Sequence, residues 1–122
     1  MAFNQLIGMR LTTVHKDGVT VEIVVRPDMM NGAGVLHGGV TATMADAAAG
    51  IATNRHLGGG CPITTVEMKI NYFRPVTKGR VRARAHLMRV GSTLSISRVD
   101  LFDGEKKLIG TALVTYMILE KR

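Results

Sequence analysis

One segment of this chain has the pattern of a long α-helix, while most of the remaining sequence has the pattern of β-strands. From Gly39 to about Thr53 the sequence is rich in Ala, Met and Thr and contains no Pro. Its larger apolar residues recur at the spacing of one helical face, namely Val40, Met44, Ala47/Ala48 and Ile51. Small residues at the other positions keep this helix narrow. A single narrow helix covers the apolar face of a large sheet only if the sheet curls around it.

Two strand-like runs precede the helix and four follow it. Residues 9–15 and 19–25 are separated by Lys16-Asp17-Gly18, and an Asp-Gly pair between such runs predicts a hairpin. The first run after the helix alternates, with one apolar face formed by Val66, Met68, Ile70 and Tyr72. The third changes phase, which predicts a bulge near Ser97/Arg98.

The order of the elements predicts the fold class. A β-β-α-β-β-β-β chain with one helix indicates an α+β domain, in which a curved antiparallel six-stranded sheet wraps around one long central helix. Its length of 122 residues suits a single domain spanning residues 1–122. The open sheet leaves edge strands, and pairing of these edges across a homodimer would protect them.

Charge and composition narrow the choice of partner. The formal net charge is +7, from 16 Lys+Arg against 9 Asp+Glu, which indicates an anionic partner. Arg80, Arg82 and Arg84 alternate along one strand and are interpreted as a solvated face. No basic patch is interleaved with aromatics, so we expect no nucleic-acid binding. No apolar stretch is long enough to span a membrane. The lone Cys61 indicates a reducing cytoplasm.

Asp46 is the residue in the helix that most needs an explanation. It lies in the middle of an apolar, small-residue segment, where a buried charge is costly. Its neighbours three and four positions away are all small, which leaves space beside the carboxylate: Ala42, Thr43, Ala49 and Gly50. Two interpretations remain open, an exposed carboxylate on the solvent side of the helix and a catalytic carboxylate.

Leu36-His37-Gly38-Gly39 precedes the helix and is a candidate oxyanion site, because free N–H groups at a helix start can stabilise developing negative charge. Ordinary turn geometry is the alternative. Asp46 lies seven residues beyond Gly39, or about 10 Å along the axis. This is too far for both to act on one carbonyl within a chain, so the spacing predicts a composite site between two antiparallel helices of a dimer.

An ordered set of motifs resembles a known family. It comprises the run Asn31–Gly39, then Asp46, Thr65–Pro75, Gly79–Ala85, Arg89–Leu94 and Asp103-Gly104. Together they resemble the hotdog-fold acyl-CoA thioesterases of the phenylacetate-degradation (PaaI) type, within the 4-hydroxybenzoyl-CoA thioesterase superfamily. The resemblance covers nearly the whole chain. It implies the hotdog fold, in which the curved sheet encloses the helix.

The resemblance also implies roles for particular residues. On this resemblance, Asp46 is the general base or nucleophile in thioester hydrolysis, and the backbone N–H of Gly38 or Gly39 polarises the carbonyl. His37 has a structural or carbonyl-side role, Asn31 helps to place the carbonyl or the water, and Thr65 orients the water. The coenzyme A arm is expected to contact Tyr72, Phe73, Arg74, Pro75, Arg89, Gly91 and Ser92.

The expected activity is hydrolysis of aryl-acetyl-CoA or medium-chain acyl-CoA to a free acid and CoA. The resemblance implies no metal and no redox cofactor, and a homodimer with composite active sites that pairs into a homotetramer. Two alternatives stay open at this point. One is a hotdog dehydratase or hydratase acting on enoyl or 3-hydroxyacyl thioesters through His37, and the other is a noncatalytic acyl-CoA-binding protein.

Overall fold

A computed structural model describes residues 2–120, in which six antiparallel strands form one sheet beside one long helix. The elements in chain order are α1 (Ala2–Leu6), β1 (Arg10–His15), β2 (Gly18–Val24), a 3₁₀ turn (Pro27–Met29), α2 (Gly38–His56), β3 (Ile63–Tyr72), β4 (Arg80–Val90), β5 (Leu94–Asp103) and β6 (Leu108–Ile118). The strand order β1-β2-β4-β5-β6-β3 leaves β1 and β3 at the edges. The predicted α+β fold, a curved sheet wrapped around one helix, is confirmed.

Helix α2 packs against strands β2 to β6. Met44, Ala45, Ala48 and Ala49 are fully buried, whereas Val40 and Ile51 of the predicted face are only half-buried. The buried face is therefore shifted toward the smallest side chains, because a sheet that curls closely around a helix leaves little space at the line of contact. Between residues 2 and 120, no helix is both long and apolar enough to cross a membrane.

The edge strand β3 contains a bulge that the sequence pattern did not indicate. Thr65 and Glu67 pair with consecutive residues of β6, so Val66 is the extra residue. Val66 is 54% exposed, and the prediction that it shares an apolar face with Met68, Ile70 and Tyr72 is wrong. The bulge reverses the alternation of the strand, so that Thr65 points toward the helix on the same side as Met68.

Strand β5 keeps one alternation where a change of phase was expected. Its buried positions follow one another without a break: Ser95, Ser97, Val99 and Leu101. The bulge predicted near Ser97/Arg98 is therefore wrong, and the extra residue is Met88 on the neighbouring strand β4. Ser95 faces the core because its hydroxyl forms a hydrogen bond of 2.9 Å with the buried hydroxyl of Thr53 on α2.

The alternating arginines lie on the outer face of the sheet, where they form ion pairs. Arg80 and Arg82 hold the two oxygens of the buried Glu22 at 2.5 and 2.7 Å. Burial by itself would raise the pKa of Glu22, but hydrogen bonds from both guanidinium groups outweigh it and lower the pKa. A hydrogen bond from Arg84 is the main cause that lowers the pKa of Asp17 to about 2.

Candidate active site

Asp46 is half-buried on α2, and two hydroxyl groups hold one of its carboxylate oxygens. Thr65 Oγ1 donates to Asp46 Oδ1 at 2.6 Å, and Tyr116 Oη lies 3.0 Å from the same oxygen. Thr65 and Tyr116 are directly paired residues of β3 and β6, so the sheet presents the two hydroxyls side by side. We call Asp46, Thr65 and Tyr116 the carboxylate half-site. Asp46 Oδ2 accepts no hydrogen bond from any residue between 2 and 120.

Tyr116 is only 8% exposed and also donates to the backbone oxygen of Asp46 at 2.9 Å. Burial raises the pKa of Tyr116 to about 12; a hydrogen bond with Thr65 opposes this shift, and the charge of Asp46 reinforces it. The phenol therefore keeps its proton at neutral pH and remains a donor. This residue and its neighbour Gly50 were not among the predicted site residues, since only the register between β3 and β6 brings Tyr116 to the helix.

A cleft of about 620 Å³ opens beside the carboxylate half-site. Its apolar lining comes from the outer side of α2 and from the segment that leads into β3: Ala47, Ile51, Pro62 and Ile63. Asn54 and Arg55 stand farther along the helix on the wall of the same cleft. The carboxylate thus borders a largely apolar cleft.

The start of α2 has a different arrangement, in which the two predicted oxyanion donors are not equivalent. The His37 ring caps the helix, and its Nδ1 accepts a hydrogen bond of 2.8 Å from the backbone N–H of Gly39. The N–H of Gly38 has no acceptor in the part of the chain that the structure describes. Gly38 is therefore available for a substrate oxygen, while Gly39 becomes available only if the His37 ring moves.

Two side chains organise the backbone around Gly38. Asn31 Oδ1 accepts from the N–H groups of Ala33 and Val35 at 2.9 and 3.3 Å, which holds the loop. The Tyr72 hydroxyl donates to the Gly38 carbonyl at 2.6 Å, and burial raises the pKa of Tyr72. We call Asn31, His37, Gly38 and Tyr72 the amide half-site.

The residues expected to bind coenzyme A divide between the two ends of strand β3. Tyr72, Phe73, Arg74 and Pro75 line a second cleft, of about 340 Å³, which also includes Gly38. The other group lies at or near the β4–β5 turn and consists of Arg89, Gly91 and Ser92. This turn is close to the start of β3, the end opposite to Tyr72, because Leu94 after the turn and Thr64 near the start of β3 both pair with Met117. One chain therefore does not bring these two groups of residues together.

The two half-sites are also separated within one chain. Gly38 and Asp46 are eight residues apart on α2, a distance of about 12 Å along the helix axis. The predicted set of Asp46, Gly38, Gly39, Asn31, His37 and Thr65 therefore forms two groups, one at each end of this segment.

The remaining candidate residues form no reactive cluster. Cys61 is buried, and its Sγ donates to the backbone oxygen of Glu120 at 3.2 Å. The His86 ring lies 3.0 Å from Asp17 on the outer face of the sheet, away from both half-sites. Among residues 2–120, no three His, Cys, Asp or Glu side chains are grouped so that they could hold a metal ion.

Comparison with known proteins identifies the family to which this chain belongs. A sequence profile of the thioesterase superfamily matches residues 33–109, which include most of the predicted site. This chain belongs to the thioesterase superfamily. The predicted resemblance and the predicted class of enzyme, a thioester hydrolase, are confirmed.

Individual relatives agree with this membership over nearly the whole chain. The medium/long-chain acyl-CoA thioesterase YigI of Escherichia coli K12 is 29% identical over 97% of this chain and 86% of the relative. A thioesterase structure from Haemophilus influenzae superposes with a TM-score of 0.91 at 25% identity, covering 97% of this chain and 82% of that one. A mutant phenylacetic acid degradation protein PaaI from Thermus thermophilus superposes with a TM-score of 0.88 at 28% identity, covering 98% and 100% of the two chains.

Proposed function

We propose that this chain hydrolyses acyl-CoA thioesters to a free acid and CoA, with Asp46 as the general base or nucleophile. The observation that carries the proposal is the state of the Asp46 carboxylate. Its Oδ1 is fixed by the hydroxyls of Thr65 and Tyr116, while its Oδ2 has no partner among residues 2–120 and the side chain borders the 620 Å³ cleft. A carboxylate held in this way has one oxygen for orientation and one for chemistry.

The proposed reaction uses only groups of the protein and water. Asp46 takes a proton from water as the water oxygen attacks the thioester carbonyl carbon, or attacks that carbon itself to form an anhydride that water then hydrolyses. The oxygen that becomes negative accepts a hydrogen bond from the Gly38 N–H at the positive end of the α2 dipole. The C–S bond breaks when this tetrahedral intermediate collapses, and the CoA sulfur leaves as a thiolate that takes up a proton. In the nucleophilic route this collapse is the step that forms the anhydride.

The separation of the half-sites supports a homodimer with composite active sites. Strand β3 is an edge, most of its side chains are exposed, and its unpaired backbone groups can accept another strand. Antiparallel pairing of β3 with β3 of a second copy would place the Tyr72 end of one strand beside the Thr65 end of the other. The amide half-site of one copy would then meet the carboxylate half-site of its partner, twice per dimer.

The same pairing would unite the two groups of CoA-binding residues. The group around Tyr72, Phe73, Arg74 and Pro75 would come from one copy, and the group of Arg89, Gly91 and Ser92 from the other. Arg74 and Arg89 are both exposed and form no ion pair with any residue between 2 and 120. We propose that they contact the CoA phosphates, which gives part of the net charge of +7 a function.

The apolar cleft beside Asp46 supports aryl-acetyl or medium-chain acyl groups as the part of the substrate that it receives. Two such dimers would pair into the homotetramer that the resemblance implies. The proposed steps require no metal and no redox cofactor. The proposal places the protein in the cytoplasm, where CoA esters are made and where the thiol of Cys61 would stay reduced.

The proposal is tested by following thiol release from a panel of acyl- and aryl-CoA esters with wild type and Asp46→Asn. Asn keeps the shape and the acceptor oxygen but cannot take a proton, so kcat is expected to fall about a hundredfold or more. Asp28→Asn is the matched control, because Asp28 is an exposed acid whose side-chain contact is with Arg26. An enzyme-only blank corrects for Cys61.

The outcomes separate the candidate functions. Hydrolysis by wild type and by Asp28→Asn, with loss in Asp46→Asn, would establish the thioesterase mechanism and rank the acyl groups. Equal rates for wild type and Asp46→Asn would refute the role of Asp46. A folded protein that binds CoA but hydrolyses no ester would favour the dehydratase or the noncatalytic acyl-CoA-binding protein.

A further inference from the structure

Helix α2 contains a buried glycine in a run of alanines, and Tyr116 explains its position. Residues 47–52 read Ala-Ala-Ala-Gly-Ile-Ala, although Gly is the less favourable residue in a helix interior. A Cβ atom on Gly50 would lie 2.6 Å from Tyr116 Oη and 2.9 Å from the ring carbon that carries it. An alanine at this position would therefore push the hydroxyl out of its present place.

The absence of a side chain at Gly50 leaves the space in which the Tyr116 hydroxyl lies when it contacts Asp46. Gly50 lies one helical turn after Asp46, and the hydroxyl shares its single proton between the backbone oxygen and Oδ1 of Asp46. Tyr116 thus contacts the carboxylate and the backbone that carries it. A hydroxyl bound at two points of one residue fixes the direction of its side chain.

We propose that Tyr116 is a positioning residue for Asp46 and that Gly50 is the residue that admits it. Together with Thr65, Tyr116 holds Oδ1 so that Oδ2 is presented to the water or thioester in the cleft. This inference rests on the proposed function of Asp46. Tyr116 itself touches no reacting atom and acts through the carboxylate.

Tyr116→Phe removes the hydroxyl and keeps the ring in the core. We expect kcat to fall about tenfold while KM stays within about twofold, because the orientation of Asp46 is lost and the binding surface is retained. A role limited to packing would not lower kcat at constant KM.

Gly50→Ala provides a second, independent perturbation of the same hydroxyl. We expect a loss of kcat similar to that of Tyr116→Phe, about tenfold. In the Gly50→Ala/Tyr116→Phe double variant the loss of kcat is expected to stay near that of one change, because Phe already lacks the hydroxyl that the new methyl group displaces. The ring carbon 2.9 Å from the methyl position still has to shift. A loss of about a hundredfold, the product of two independent effects, would refute the link between Gly50 and Tyr116.

Ser95→Ala is the matched control. It also removes a buried hydroxyl that forms a hydrogen bond with α2, but its partner is Thr53, outside both half-sites. Its kcat is expected to equal that of wild type. If Tyr116→Phe keeps wild-type kcat while Asp46→Asn is inactive, the positioning role is refuted and the proposed function stands. If Asp46→Asn keeps full activity, the proposed function fails and the positioning role fails with it.

Discussion

Whether the active sites are shared between subunits can be decided by combining two inactive chains in one dimer. The first chain carries Asp46→Asn in the carboxylate half-site. The second carries Gly38→Pro in the amide half-site, which deletes an N–H group at the helix start that is available for an oxyanion. If each active site takes one half-site from each chain, both changes fall in the same site of the mixed dimer and the other site is intact.

The structure indicates that Gly38→Pro is compatible with the fold. Gly38 is the first residue of α2, a position where proline is favoured because its N–H has no partner within the helix. His37 has φ −61° and ψ 131°, the extended conformation that a residue before proline prefers. The nearest obstacle is the Tyr72 ring, 3.2 Å from a Cβ on Gly38, so the ring must shift by a few tenths of an ångström.

The expected rates follow from counting sites. Each homodimer alone should retain about 1% of wild-type kcat or less, because loss of the base or of one oxyanion donor costs about a hundredfold or more. Random association gives half mixed dimers, each with one intact site of two, so the mixture should recover about a quarter of wild-type activity. Mixed dimers purified through two different affinity tags should show about half.

A second mixture provides the control and the refutation. Asp46→Asn combined with Thr65→Val places both changes in carboxylate half-sites, so neither site of the mixed dimer is intact. The activity of this mixture should not rise above the average of its two homodimers. If Asp46→Asn and Gly38→Pro also show no recovery in a purified, folded mixed dimer, each chain contains its own complete site. The composite arrangement would then be wrong.

Two further predictions concern stability and metals. Glu22→Gln should lower the free energy of unfolding by roughly 1–3 kcal/mol at pH 7, because the two arginines lose their charged partner. Since the pKa of Glu22 is lowered in the folded protein, its charge stabilises the fold at pH values above the ordinary pKa of 4.5. This contribution is lost as pH falls through the folded pKa. Urea unfolding should show that the difference in free energy of unfolding between Glu22→Gln and wild type is smaller at about pH 3 than at pH 7. The exposed control Glu105→Gln should show little difference at either pH. A Glu22→Gln difference that does not change with pH would contradict the role of the ion pairs. Dialysis against EDTA should leave kcat unchanged, since the proposed steps use only a carboxylate, hydroxyls and an amide, and a loss restored by one divalent cation would refute this.

Local features of the sequence were sufficient to predict the elements and their arrangement. The helical spacing from Val40 to Ile51 and the Asp17-Gly18 hairpin signal depend on residues within a few positions of one another. The same holds for the strand alternation around Arg80–Leu87. One narrow helix and six strands then leave few ways to bury the apolar faces, and this is why the wrapped sheet followed from the pattern. Asp46 stood out for the same local reason, as the one acid in a segment of small residues.

What only the tertiary structure decided depends on pairs of residues that are distant in the chain. The bulge at Val66 turns Thr65 toward Asp46, and the register of β3 with β6 brings Tyr116 to the same oxygen. Ser95 faces the core because Thr53, 42 residues away, satisfies its hydroxyl. No local pattern encodes such registers, because they are set by the simultaneous packing of all strands around α2. The sequence by itself predicted Asp46 and the start of α2 as the candidates for the chemistry, because both stand out locally, and the fold decided which atoms of distant residues meet.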